Sequence, residues 1–222
     1  MAAPRPVFDE SVAASYEMWY EQGFGRWAVE REEELLARQL AHFPQAHSIL
    51  DVGCGTGHFS RWFAAQHLTV TGLDSSTAML ADARRRDDAV TYIEGDAQAL
   101  PLDDQSMDLV SLITVLEFVA DPVQALREAM RISRYGLLIG VLNRLSMLAW
   151  WSRLRGSHPD AVLAAARRYS AGSLSTLVRE AAGSRSVRIE WHTTIYPWSL
   201  PLNGLRLPWG EYVGMMVSYM PS

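Results

Sequence analysis

The chain contains no lysine: all twenty of its basic residues are arginine. That absence excludes pyridoxal enzymes, which need a Schiff-base lysine, and P-loop nucleotidases, whose lysine reaches the phosphates. Cysteine is almost absent as well. Cys54 is the only one, so no intrachain disulfide, Cys-x-x-Cys redox pair or thiolate zinc cluster can form. No run of about 18 apolar residues occurs that would span a bilayer, and the segment Met1 to Glu10 lacks the apolar core of a secretory signal. The expectation is a cytoplasmic protein with no membrane span. A basic surplus is also missing, since 25 acidic residues against 20 basic ones leave a formal charge of -5. This argues against a general nucleic-acid binder and against DNA as a partner.

What is present is enough apolar residue for one well-packed domain: 222 residues, 49% hydrophobic,. From about residue 48 to residue 142, apolar runs alternate with helical patterns, the mark of a parallel α/β sheet. The strands are expected at Ser48 to Val52, Thr69 to Leu73, Val90 to Glu94, Leu109 to Val115 and Gly136 to Leu142, with two more around Val187 to Tyr196 and Tyr212 to Met220. The near-continuous apolar character of the first five fits strands buried on both faces. Between the first two, Phe59, Trp62 and Phe63 recur at helical spacing. Ser75 or Ser76 can cap a helix with Met79, Leu80 and Ala83 inward, and the arginines Arg84 to Arg86 near its end complement the helix dipole. Asp121-Pro122 is a helix start, and Leu126 and Met130 share its inner face. Gly172-Ser173 is expected to begin a further helix that closes near Gly183. Two segments stand outside the alternation: an N-terminal helix carrying Leu35, Leu36, Gln39 and Leu40 after the acidic run Glu32 to Glu34, and Arg144 to Tyr169, expected to form a small helical cap.

The segment Ile49-Leu-Asp-Val-Gly-Cys-Gly-Thr-Gly57 reads as a strand feeding a glycine-rich cofactor loop. A dinucleotide fingerprint would require glycine at position 58, where the chain has His58, so a nicotinamide or flavin reading is disfavoured. Glycine lets the backbone turn sharply and lets a ligand approach the main chain.

In these residues the chain resembles the class I S-adenosylmethionine-dependent methyltransferases, in the small-molecule branch grouped as methyltransferase type 11. The resemblance runs from about Tyr16 to Asn143. It implies a Rossmann-like three-layer α/β sandwich with a mostly parallel seven-stranded sheet, an antiparallel last strand, an N-terminal helix and a small helical cap. The domain would divide into 1–45, a cofactor-binding core 46–143, a cap 144–170 and a C-terminal part 171–222. The cofactor implied is S-adenosyl-L-methionine, with S-adenosyl-L-homocysteine as product and no metal. The family's glycine loop wraps the methionine part of the cofactor, which falls here to Asp51, Gly53, Cys54, Gly55 and Gly57, with Thr56 and His58 in the same turn. Asp74, ending the second strand, would accept from the ribose hydroxyls, with Ser75 and Met79 beside it; its alternative is a helix N-cap. Glu94-Gly-Asp-Ala97 resembles the adenine corner, with Asp96 accepting from the exocyclic amine and the Ala97 amide donating to a ring nitrogen. Leu100-Pro-Leu-Asp-Asp-Gln-Ser-Met-Asp108 matches the connection into the fourth strand, and Leu116-Glu-Phe-Val-Ala-Asp-Pro122 the segment after it. Phe118 stands where histidine is frequent, so a base drawn from that position is lost.

Tyr16, Trp19 and Tyr20 resemble the N-terminal aromatic cluster that closes over the cofactor, and Arg26 could meet the cofactor carboxylate. On the acceptor side, Tyr20, His158 and His192 are the candidates for a catalytic group, with Tyr169 a further substrate contact. Trp150 and Trp151 could line an apolar pocket or lie at a membrane surface, packing of the cap being the default. The arginine excess from Arg127 to Arg168, with Arg153 and Arg155, could favour an anionic acceptor group. Methyl transfer is an in-line displacement at an already activated carbon, so alignment, exclusion of water and, where needed, proton removal are what the protein must supply. The expected function is methyl transfer to a small, partly apolar molecule at O, N, S or C, by a monomer or homodimer. The alternatives are a non-catalytic cofactor-binding sensor or scaffold module, and methylation of an RNA or a protein side chain.

Overall fold

The structure, a computed structural model, describes residues 8, 17, 18, 20, 23–147, 166–195 and 207–220. Its seven strands are β1 (Ser48–Val52), β2 (Thr69–Asp74), β3 (Thr91–Glu94), β4 (Met107–Ile113), β5 (Ser133–Leu142), β6 (Val187–Thr194) and β7 (Tyr212–Tyr219). They form one sheet in the order β3-β2-β1-β4-β5-β7-β6. Pairs from β3 to β5 are parallel. The last strand, β7, slots antiparallel between β5 and β6, as the family resemblance implies. The main helices among the described residues are α1 (Gly23–Leu40), α2 (His58–Ala65), α3 (Thr77–Arg86), α4 (Pro122–Ile132) and α5 (Ala171–Ala182).

Alternation within each strand builds the three layers. Successive side chains of a strand point to opposite faces. On one face, Leu50 and Val52 of β1, Val110 and Leu112 of β4, and Leu137, Ile139 and Val141 of β5 pack with Leu126 and Met130 of α4 and Leu174 and Val178 of α5. On the other, Ile49, Leu109 and Leu138 pack with Leu35 and Leu36 of α1, Phe59 and Phe63 of α2, and Leu80 and Ala83 of α3. Both faces are covered, which is why the strands read as unbroken apolar runs. Each fully buried aliphatic side chain contributes about 1.5–3 kcal/mol.

Local chemistry sets the helix starts. The Ser76 side chain accepts from the Met79 amide and caps α3. Asp121 accepts from the Val123 and Gln124 amides, with Pro122 in the first turn of α4. α5 begins one residue earlier than Gly172-Ser173 predicts, because Ser170 is the cap and Ser173 its reciprocal partner three residues on, a capping box with serine in the usual Glu or Gln position.

Strand ends shift for identifiable reasons. β4 runs from Met107 to Ile113 rather than from Leu109 to Val115, since Thr114 takes a left-handed φ of 57° and leaves the extended conformation. β5 starts at Ser133 with no loop after α4, three residues ahead of the expected Gly136. β6 stops at Thr194, before Ile195 at φ 62°. Most of the expected cap lies outside the described residues; its flanks meet where Asn143 bridges Tyr169. Among the described residues no helix is long and apolar enough to cross a membrane.

The chain proceeds β1, β2, β3 to one side and then returns to place β4 on the other side of β1. That reversal opens a crevice beyond the carboxyl ends of β1 and β4, where open α/β sheets hold ligands.

Candidate active site

A cleft of about 480 Å³ occupies that crevice, within the range of about 300–1,000 Å³ typical of small-molecule and cofactor sites. The loop leaving β1 forms its first wall. The Gly53 and Cys54 amides both donate to the Leu73 carbonyl, at 2.6 and 3.0 Å, and the Gly57 amide closes the turn on the Cys54 carbonyl at 2.9 Å. Gly55 sits at φ 54°, and a Cβ built on it would meet nothing within 4 Å. Its main chain thus faces open cleft, a cradle that any side chain would fill.

Asp74 at the end of β2 lies in the same lining. One carboxylate oxygen accepts from the Gly55 amide at 2.8 Å and the other from the Ser76 amide at 2.8 Å. Burial raises its carboxyl above its ordinary value, against the pull of the Ser76, Gly55 and Ser75 amides. The N-cap of α3 is Ser76, which frees Asp74 from the capping role that was its alternative. Asp51 lies deeper. Its carboxyl is pushed up to about 6 by burial, opposed by hydrogen bonds donated by Ser60 at 2.6 Å and Ser111 at 2.8 Å. Two acids therefore stand under the glycine loop, each held by groups of the protein itself.

Beyond β3, Gly95, Asp96, Ala97 and Gln98 continue the lining. Asp96 is exposed and accepts from the Gln98 amide at 2.9 Å, while Ala97 is buried. Leu73, Met79, Ile113 and Val115 give the cleft an apolar floor. Phe8 and Phe118 meet edge to face at 5.1 Å across the same space, and the Phe8 carbonyl accepts from the Ser76 hydroxyl. Phe8 carries no sequence signal, being a lone aromatic ahead of the first helix.

Of the residues singled out from the sequence, the cleft lining brings together Asp51, Gly53, Cys54, Gly55, His58, Asp74, Ser75, Met79, Asp96, Ala97 and Tyr20. Thr56 and Gly57 are not in it. The Thr56 side chain is buried and donates to Glu17 at 2.6 Å. Gly57 is needed for another reason: it takes φ 82° ahead of α2, and a Cβ there would overlap the Tyr92 hydroxyl. His192 lies in a separate indentation between α1 and β6, with Arg38, Gln39, His42 and Glu190, and so is away from the cleft. Tyr169 is a core residue whose hydroxyl donates to the Leu116 carbonyl at 2.8 Å, rather than a substrate contact. Arg26 pairs with Glu30 on the surface of α1. Tyr16, Trp19, Trp150, Trp151, Arg153, Arg155 and His158 lie outside the described residues.

Cys54 is buried, and its desolvation pushes the thiol above its ordinary value, with the Asp51 and Asp74 charges adding to that. It fills space in the loop as a neutral group. Sequence reasoning passed over Glu33. On α1, its carboxylate lies 3.1 Å from His58 Nε2, and the His58 ring stacks on Tyr20 with centroids 4.3 Å apart.

Comparison with known proteins agrees with this geometry. Residues 50–139 match the family model described as a methyltransferase domain. The malonyl-[acyl-carrier protein] O-methyltransferase of Pectobacterium atrosepticum is 41% identical over 152 residues, covering 61% of this chain and 59% of that protein. The enzyme of the same name from Erwinia pyrifoliae is 31% identical over 219 residues, covering 91% of this chain and 76% of the relative. The chain thus spans about three-fifths of the length of the first of these curated relatives. Among solved structures, a methyltransferase from Thermotoga maritima, described as S-adenosylmethionine-dependent and a possible histamine N-methyltransferase, superposes with a TM-score of 0.73 at 28% identity, covering 96% of this chain and 99% of that one. The chain belongs to the class I S-adenosylmethionine-dependent methyltransferases, in the type 11 branch.

Proposed function

We propose that this protein transfers the methyl group of S-adenosylmethionine to a small, partly apolar molecule, working in the cytoplasm. The observation that carries the reading is the juxtaposition of the Gly55 main chain, open to the cleft at φ 54°, with the Asp74 carboxylate 2.8 Å from its amide. A methionine tail lying along the loop would run over Gly53 and Gly55, and the adjoining ribose would reach Asp74. The adenine would lie over the apolar floor of Leu73 and Met79, between Asp96 and the buried Ala97. Size and polarity support the fit: a cleft of about 480 Å³ with Asp51 and Asp74 beside the glycine loop, Asp96 beyond β3, and aliphatic side chains along its floor.

When bound, the cofactor supplies a methyl carbon activated by sulfonium charge. The protein's contribution is alignment and exclusion of water, each effective because displacement needs the reacting atoms in line. Phe8, Phe118 and Val119 give the cleft an apolar rim suited to a partly apolar acceptor. The acceptor atom is not set by kinship, since the relatives are named for an oxygen on malonyl-acyl carrier protein and for a possible histamine nitrogen.

The test has two parts. Calorimetric titration should give saturable 1:1 binding of S-adenosylhomocysteine and none of NAD; preference for NAD would overturn the cofactor placement. A panel of alcohols, phenols, amines, thiols and carboxylates with purified protein, scored by S-adenosylhomocysteine release, should single out the acceptor class. Binding without turnover on any class would leave a cofactor-binding module in place of an enzyme.

A further inference from the structure

The segment from Thr114 to Pro122 contains Phe118 and no histidine, yet an imidazole lines the same cleft. His58 is the first residue of α2, directly after the glycine loop. Its Nε2 lies 3.1 Å from a carboxylate oxygen of Glu33 on α1. Its ring lies on Tyr20 at 4.3 Å with 17° between the planes and meets the edge of Phe59 at 5.2 Å. Two stretches of chain besides its own helix therefore fix the ring. A carboxylate only accepts, so Nε2 carries the hydrogen in the neutral ring and Nδ1 keeps its lone pair. Among the described residues none hydrogen-bonds Nδ1, and the side chain is 21% exposed and lines the cleft. An imidazole held by a carboxylate on one nitrogen and open on the other is the arrangement of a general base with its orienting group.

We propose that His58 accepts the proton of the methyl acceptor, that Glu33 is its positioning residue, and that the acceptor belongs to the class whose nucleophile still carries a proton at neutral pH: a hydroxyl, thiol or ammonium group rather than a carboxylate. The proposal rests on the reading of this cleft as the S-adenosylmethionine site. In the step it describes, the O–H, S–H or N–H bond breaks and its proton moves to Nδ1. The nucleophile's electron pair forms the bond to the methyl carbon. The carbon–sulfur bond breaks with its pair left on sulfur, which becomes a neutral thioether. The imidazolium, its charge balanced by Glu33, then returns the proton to solvent. Among the described residues, the Asp51 carboxyl in β1 feels the charge of His58 and the Tyr20 phenol ring stacks on it.

The test needs no identified acceptor. In protein labelled with ¹⁵N-histidine, the neutral His58 ring should show the Nε2–H tautomer, and Glu33→Gln should erode that preference while leaving S-adenosylhomocysteine affinity unchanged. The ring should also titrate at lower pH with S-adenosylmethionine bound than with S-adenosylhomocysteine. The two ligands differ by the methyl and its positive charge, and a nearby positive charge disfavours a second one on the ring, so the displacement is downward. An identical titration in the two complexes would place His58 away from the transferred methyl and overturn the proposal. So would an upward displacement with both ligands, which would mark the ring as a counter-ion for the cofactor's carboxylate. Failure of both ligands to bind would sink the cofactor reading itself, and the proposal with it.

Discussion

The amide of Gly55 donates to the carboxylate of Asp74 at 2.8 Å, so the loop after β1 is fastened to the end of β2 by the acid that is also placed to meet a ribose. Hydrogen bonds to charged groups are worth about 1.5–3 kcal/mol each. Asp74→Ala should therefore weaken S-adenosylhomocysteine binding at least ten- to a hundredfold, through lost ligand contacts and a loosened loop together. Asp74→Asn, which can still accept from Gly55, should recover part of that. Calorimetry on the two variants checks it, and equal affinity in the wild type and the alanine variant would mean the ribose is held elsewhere.

Gly55 and Gly57 should separate binding from folding. Both take left-handed φ values, which cost an L-residue about 1–2 kcal/mol. A side chain on Gly55 projects into open cleft, whereas one on Gly57 overlaps the Tyr92 hydroxyl, and overpacking adds about 1–3 kcal/mol. Gly55→Val should cost only the backbone term of about 1–2 kcal/mol, since its side chain meets no neighbour, yet lose cofactor affinity. Gly57→Ala should lose about 2–5 kcal/mol of stability by the sum of these terms, measured by urea unfolding. The pattern reversed would show that the loop's ligand face has been misplaced.

Cys54 gives a sharper negative. Its thiol is buried and desolvated, with Asp51 and Asp74 as negative neighbours, and a neutral thiol in such a place is unreactive. In the native protein Ellman's reagent should modify it only at the rate of unfolding, and Cys54→Ala should retain cofactor binding. Fast modification that S-adenosylhomocysteine suppresses would contradict the burial.

The sequence disclosed what local chemistry alone decides. Apolar runs placed the inner strands β1, β4 and β5, because a strand covered on both faces has no polar side to interrupt it. The edge strand β6 instead showed itself by alternation of Val187, Ile189 and Trp191 with Arg188, Glu190 and His192. Asp121-Pro122 and Ser76 marked helix starts through groups within three residues of each other. It failed where a partner lies far along the chain. Thr56 looks like a loop residue facing the cofactor until Glu17, 39 positions earlier, takes its hydroxyl. The need for glycine at 57 comes from Tyr92, and the significance of His58 from Glu33, 25 positions earlier. One miss had a usable signal. Glu32 belongs to an acidic run that reads as solvated, yet it stands three and four residues before Leu35 and Leu36, on the same helical face, and it is buried with them.

That burial has a consequence in pH. Glu32 and Glu117 are both desolvated and both raised to about 8 from an unfolded value near 4.5. For Glu32 the charges of Glu33, Glu117 and Glu211 add to the effect of burial. For Glu117 burial is opposed by hydrogen bonds from the Leu142 and Glu117 amides and by the Arg168 charge. A carboxyl raised in the folded state binds its proton more tightly there than in the unfolded chain. The stability it contributes is complete below about pH 4.5 and is lost as pH rises toward 8. Across that window each such group removes about 1.4 kcal/mol per pH unit, less where the two carboxyls relieve one another. Glu117→Gln keeps an acceptor for the Leu142 amide, which now donates to the carboxylate at 2.7 Å, and abolishes the titration. Denaturant unfolding at a series of pH values should therefore show the wild type losing stability between pH 5 and 8, and Glu117→Gln losing distinctly less, with the two curves farthest apart at the alkaline end. Parallel curves would mean that Glu117 is already ionised at pH 5, through a partner the geometry does not show.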